Sequence, residues 1–166
     1  AYGICVPEEY GGAGLDYVTL ELVLEEIAAG DGGTSTAISV TNCPYNAILM
    51  KYGNEQQKQQ WLVPAARGDI LGAFCLTEPH VGSDASAIRT TAVKDGDEYV
   101  INGTKHYISC GGVAKLYFLY ARTDRKGPIS TSLSCFLVPG DAPGFKVGRF
   151  HNKLGRRLLA NASLIF

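Results

Sequence analysis

Two Asx–glycine pairs, Asp95-Gly96 and Asn102-Gly103, stand one short strand apart in the second half of the chain. Such pairs supply the positive-φ residues of tight strand reversals, so they constrain this region more than any other local feature. They divide Ile88 to Val93, Glu98 to Ile101 and Lys105 to Ser109 into an expected meander. Further β-rich runs follow the same pattern: Leu71 to Leu76, Leu116 to Ala121, Ser132 to Val138, Phe145 to Phe150 and Ser163 to Phe166. So many short strands predict a small antiparallel β-barrel over 71–166, with a sandwich as the alternative.

Residues 1–70 carry a different period. Asp16 is placed to cap a helix in which Tyr17, Leu20, Leu24 and Ile27 share one face, and Gly30 is a plausible stop. Thr34 to Met50 is small and apolar with Pro44 inside it, which predicts a buried helix that starts late or kinks at the proline. Asn54 with Gln57 forms a capping-box pattern opening a helix through Trp61 and Leu62, and Gly68-Asp69 marks its break. The expected fold class is therefore α+β: an N-terminal helical segment, then the small antiparallel β-barrel domain.

Composition excludes several function classes. The 166 residues suffice for one sizeable core or two small ones. A net charge of -1 gives no electrostatic reason to expect nucleic acid or an anionic membrane as partner. No apolar run approaches bilayer length, and Ala1 to Tyr10 has no signal-peptide pattern. Cys5, Cys43, Cys75, Cys110 and Cys135 are odd in number with no C-x-x-C pair, which fits free thiols in a reducing compartment. His80, His106 and His151 show no metal-ligand spacing, so no metal site is expected. The chain stops inside an expected strand at Phe166 and begins on an apolar entry segment, a pattern that suggests a fragment.

Thr77-Glu78-Pro79-His80-Val81-Gly82-Ser83-Asp84 joins two expected strands. On its own chemistry this is a turn-rich loop, although its N–H groups and hydroxyls also suit a polar, anionic ligand. Downstream, Lys105-His106-Tyr107-Ile108-Ser109 places an aromatic ring and a hydroxyl on one strand face. Local spacing alone favours an ordinary loop and an ordinary half-exposed strand.

The order of these pieces resembles acyl-CoA dehydrogenases. A-F-C-L-T-E-P-x-x-G-S-D is followed by D-G-D-E-Y-V-I-N-G-T-K-x-Y-I-S, G-F-K-V and K-L-G; P-E-E-Y-G-G-A-G-L-D and Y-G-N-E-Q-Q-K-Q-Q-W-L match the helical half. The resemblance implies the end of an N-terminal helical domain (1–70) and a middle β domain (71–166) that contacts FAD and CoA. It implies flavin contacts from Phe74, Cys75, Leu76, Thr77, Glu78, Pro79, His80, Val81, Gly82 and Ser83, and from Tyr107, Ile108 and Ser109. Leu76 and Thr77 would bond the pyrimidine end, Ser109 would lie near N5, and Tyr107, where the family usually has tryptophan, would pack on the ring system. Ser83 would also touch the CoA part of the substrate.

The implied reaction is flavin-dependent α,β-dehydrogenation of an acyl-CoA thioester, with electrons passed to an electron-transfer flavoprotein. The family's oligomer is a homotetramer, and either the bacterial cytoplasm or the mitochondrial matrix would suit it. Its catalytic glutamate lies in a C-terminal helical domain that this chain does not contain, so no catalytic residue is assigned and the chain alone is expected to be inactive. The alternatives are a non-catalytic binding or interaction module, and a flavin oxidase or monooxygenase on the same scaffold. One departure is Arg156 to Ala162, where Leu158 and Leu159 replace small or hydroxyl residues. Exposed leucines there would make an interface; otherwise the turn is rebuilt.

Overall fold

The computed structural model describes residues 1–166. Asp16 opens α1 (Tyr17–Gly30) by accepting the Thr19 N–H at 2.8 Å, a cap of about 1 kcal/mol. Leu20 and Leu24 pack on Ile4 and Ile38, while Tyr17, in the first turn, stays exposed. Asp31 caps α2 (Gly32–Val40) in the same way through the Thr34 N–H. The path then leaves helical geometry at Cys43 (φ -146, ψ 113), just before Pro44, and resumes in α3 (Ala47–Tyr52). The expected kink at the proline is present. Asn54 and Gln57 cap each other at 2.9 and 3.0 Å, and helical segments Glu55–Gln57, Lys58–Leu62 and Val63–Arg67 run on to Gly68 at φ 86.

The strands are β1 (Gly72–Cys75), β2 (Thr91–Asp95), β3 (Glu98–Asn102), β4 (Thr104–Ser109), β5 (Leu116–Arg122), β6 (Leu133–Pro139), β7 (Lys146–Phe150) and β8 (Asn161–Ile165). Strand β5 organises the larger, five-stranded sheet. It pairs with β1 in parallel, with β6 antiparallel, and with β2 in parallel through Thr91 and Arg122; β3 extends β2 as a hairpin. The smaller sheet has the order β4-β8-β7, all antiparallel. Alternation along β5 explains its burial. Leu116 and Phe118 turn to the helices, meeting Tyr45, Leu49, Leu62 and Ala65, whereas Tyr117 and Leu119 turn to the core shared with Ile108, Ala162 and Leu164.

Three expectations are corrected. The strands do not close into a barrel, and they are not all antiparallel, since β1 and β2 both run parallel to β5. The expected meander breaks between β3 and β4 because Asn102-Gly103 is a sheet crossing. Gly103 exchanges both backbone hydrogen bonds with Phe166, at 3.1 and 3.0 Å, which delivers β4 to β8 in the second sheet. With no ladder between the sheets, each keeps free edges.

The turn from Arg156 to Ala162 places its two leucines differently. Leu159 is buried in the core between the sheets, Leu158 is exposed, and Arg156 takes the left-handed conformation at φ 53. No helix is long and apolar enough to cross a membrane.

Candidate functional site

Strand β1 ends at Cys75 and releases the loop that begins at Leu76. Glu78 and Val81 exchange backbone hydrogen bonds at 3.0 and 3.1 Å, so Pro79 and His80 form the exposed tip of a tight reversal. Gly82 and Ser83 are exposed beyond it. Asp84 accepts from the Ser86 N–H and hydroxyl and caps a single turn, Ala85–Ala87.

Glu78 anchors this loop from below. Its carboxylate accepts from Arg89 N (2.8 Å), Thr90 N (2.9 Å), the Thr90 hydroxyl (2.5 Å) and Lys105 Nζ (2.9 Å). Both partners of the ion pair are buried, Lys105 completely, and Lys105 also donates to the Leu76 carbonyl at 3.0 Å. Burial pushes the Glu78 carboxyl up, but the hydrogen bonds from Thr90, Arg89 and Lys105 outweigh it and hold the group below its ordinary range. The side chain is therefore a structural acceptor, with three donors on Oε1 and the Arg89 N–H on Oε2.

Strand β4 is irregular where it faces the loop. Lys105 pairs with Leu164 and Ile108 with Ala162, so β4 spends an extra residue against β8. Tyr107 absorbs that residue at φ 55, and Asn161 Nδ2 holds its carbonyl at 2.9 Å. The bulge turns the Tyr107 side chain outward, 61% exposed, while Ile108 and Cys110 go into the core and Ser109 stays half-buried opposite Asn161. His106 N–H donates to the Thr77 carbonyl at 2.8 Å, stitching loop and strand into one strip.

The expected site residues thus divide. Leu76, Thr77, Gly82, Ser83, Tyr107 and Ser109 reach the surface of the strip, and Pro79 and His80 project at its tip. Cys75, Glu78, Val81 and Ile108 have inward side chains, and Phe74 packs on the helical side against Tyr120. Burial pushes the Cys75 and Cys110 thiols up, Cys110 to about 11, and all five cysteines are free. No cluster of His, Cys, Asp and Glu offers a metal-ligand set.

A group of side chains that the spacing did not reveal adjoins Tyr107. Ser163 Oγ lies 2.8 Å from His106 Nδ1 and 3.0 Å from His151 Nε2. The imidazole centroids are 4.5 Å apart, and the Tyr107 ring packs on them at 4.2 and 4.6 Å. Burial, then the His106 and Arg149 charges, press the His151 imidazole below its ordinary value. The contributing residues come from β4, from β8 and from the position just past β7, and share no sequence spacing.

The strip suits a flat, hydrogen-bonding ligand such as a flavin. The N–H groups of Leu76, Thr77, Gly82 and Ser83 have no partner within the chain, and Asn161 Oδ1 is buried without one. The His106-to-Thr77 hydrogen bond joins the loop that carries these donors to the strand that carries the outward Tyr107 ring and the Ser109 hydroxyl. A cavity of about 750 Å³ lies elsewhere, between Tyr99, Ile101, Phe136, Phe145 and Phe166.

The α+β chain thus joins a donor-rich loop to an exposed aromatic strand, with no glycine-rich dinucleotide turn in its sequence. The acyl-CoA dehydrogenase N-terminal domain family matches residues 1–69 and the acyl-CoA dehydrogenase middle domain family matches residues 73–166. The chain belongs to the acyl-CoA dehydrogenase family. It is 45% identical over 161 residues to the mitochondrial short-chain specific acyl-CoA dehydrogenase of Rattus norvegicus, covering 97% of this chain and 39% of that protein. It is 40% identical to the short-chain specific acyl-CoA dehydrogenase of Clostridium acetobutylicum, covering 99% of this chain and 43% of the relative.

Among solved structures, one described as the electron transferring flavoprotein of Acidaminococcus fermentans superposes with TM-score 0.95 at 42% identity, over 99% of this chain and 43% of that one. Butyryl-CoA dehydrogenase from Megasphaera elsdenii gives TM-score 0.91 at 35% identity, over 99% and 44%. Glutaryl-CoA dehydrogenase from Mycobacterium smegmatis in complex with FADH2 gives 0.90 at 37%, over 98% and 40%. The chain spans about two fifths of the length of the curated relatives it matches.

Proposed function

We propose that residues 1–166 form the flavin- and acyl-CoA-contacting part of an enzyme that dehydrogenates acyl-CoA thioesters between the α and β carbons, with the β domain (71–166) carrying the cofactor strip. FAD, when bound, would supply the hydride acceptor for the β hydrogen. The chain's own residues bind and orient. The N–H groups of Leu76 and Thr77 would meet the polar edge of the ring system, the Tyr107 ring would pack on its apolar part, and the Ser109 hydroxyl would donate beside it. Ser83, exposed beyond the reversal, is the residue offered to the CoA portion. The proton-abstracting carboxylate comes from outside these residues: Glu78, the buried carboxylate beneath the strip, is committed to four donors. Electron-transfer flavoprotein is the proposed acceptor, and a homotetramer the proposed assembly.

The observation that carries this reading is the strip itself, in which the His106-to-Thr77 hydrogen bond sets unpartnered loop donors beside an outward Tyr107. FAD titration followed by flavin fluorescence tests it. Binding should quench the fluorescence, and Tyr107→Leu should weaken binding roughly 2- to 12-fold, the worth of one aromatic stacking contact. Absence of FAD binding by the protein, or identical binding and quenching in the variant, would overturn this assignment.

A further inference from the structure

The two imidazoles beside Tyr107 converge on a single hydroxyl, and that hydroxyl has one hydrogen. Ser163 Oγ can donate to only one of His106 Nδ1 and His151 Nε2, so the other ring must donate to it. The trio is satisfied with both rings neutral. It is satisfied again with one proton added, since the imidazolium donates to Oγ and Oγ donates to the neutral ring. A second proton places two like charges with ring centroids 4.5 Å apart and leaves the Ser163 hydrogen without its acceptor. Tyr107 depends on this arrangement. Its backbone sits in a conformation that a tyrosine rarely adopts, its ring is largely exposed, and the rings it packs against here are those of His106 and His151.

We infer that His106, Ser163 and His151 are positioning residues that hold the Tyr107 ring in its flavin-facing orientation while they carry at most one proton, and release it when they take up a second. The inference rests on the proposed flavin site. The surrounding charges favour this limit. Arg149 on β7 adds positive potential at His151. Strand β8 contributes no charged side chain (Asn161–Ile165). On β4, Lys105 is turned inward onto Glu78, and that carboxylate is in turn occupied by its donors. Lys153, just beyond His151, donates to the Leu159 carbonyl. From the loop, Thr77 offers its carbonyl to His106 N–H, and His80 stands at the exposed tip.

The test uses variants that keep the hydrogen bonds and remove the titration. An asparagine amide replaces Nδ1 in His106→Asn, and a glutamine amide replaces Nε2 in His151→Gln. NMR titration of the flavin-free protein should show the two imidazoles titrating in linked steps, and His151→Gln should reduce His106 to one simple step. FAD titration against pH should then show the wild-type Kd level while the first proton is taken up and rising only through the second step, which like-charge repulsion holds below the ordinary imidazole value of about 6.5, by up to tenfold per pH unit, the limit for binding that excludes one proton. Each amide variant should keep its own affinity level over the same range. Independent titration of the imidazoles, or a wild-type slope that persists in both variants, overturns the inference. Wild-type protein that shows linked imidazoles but no affinity for FAD at any pH instead overturns the flavin reading, and the positioning role falls with it.

Discussion

Glu78 and Lys105 are both taken out of water, and what makes that tolerable is the number of hydrogen bonds they share: the carboxylate accepts four and the ammonium adds the Leu76 carbonyl. Removing one partner leaves a buried, uncompensated charge, which costs about 3–5 kcal/mol. Lys105→Met should therefore lower stability by about that amount in urea denaturation. The double variant Glu78→Gln/Lys105→Met should lose less than the sum of the single changes, because neither orphan remains. The pair also sets an acid limit. The folded Glu78 carboxyl lies below its unfolded value, so its contribution is complete above the unfolded carboxylate range, about pH 4.3, and is lost as pH falls through the folded value. Urea midpoints should drop more steeply below about pH 4 in wild type than in Glu78→Gln; equal slopes would remove Glu78 from the account. The sequence places Glu78 in the loop, but its inward direction depends on Thr90 and Lys105. The pairing of His106 with His151 was beyond reach for the same reason, since Ser163 on β8 is what joins them.

Among elements, the two Asx–glycine pairs look alike in sequence and do opposite things. Asp95-Gly96 closes β2 onto β3 with Gly96 at φ 59, as a hairpin requires, and its glycine has open space around it. Gly103 has no left-handed φ; a Cβ there would run into the side chain of Thr90, and its hydrogen-bonding partner is Phe166, at the other end of the domain. Helix caps and strand positions were legible because a cap or an apolar alternation lies within a few residues. The sheet crossing was not, because local turn chemistry carries no record of a partner 63 residues away. A pair of substitutions separates the two roles. Gly96→Ala should cost about 1–2 kcal/mol, the left-handed penalty alone. Gly103→Ala should cost more, through steric conflict at the β3–β4 crossing, and should also speed amide exchange along β4 and β8. Equal losses, with exchange unchanged, would mean that the crossing is not under steric control.

At the scale of the whole molecule, β5 makes the helical and strand-rich halves interdependent. Its Phe118 side meets the helices, with the ring 5.0 Å from that of Tyr45 and nearly perpendicular to it, while its Tyr117 side meets the core beneath β4 and β8. The cofactor strip hangs from this arrangement, since β1 leads into the loop and pairs with β5 along its full length. Loss of the helical contact should therefore be felt at the strip. Phe118→Ala should cost about 3–5 kcal/mol, as for other buried aromatic truncations. Trp61, the chain's single tryptophan, packs on the same cluster and reports the helical half by fluorescence. Amide exchange at Tyr107 and Ile108 reports the strip. If β5 couples the halves, both probes should shift together in Phe118→Ala, with one midpoint in urea. A Trp61 transition that moves alone, leaving exchange in β4 at its wild-type level, would mean that the strip is held by the two sheets without the helices.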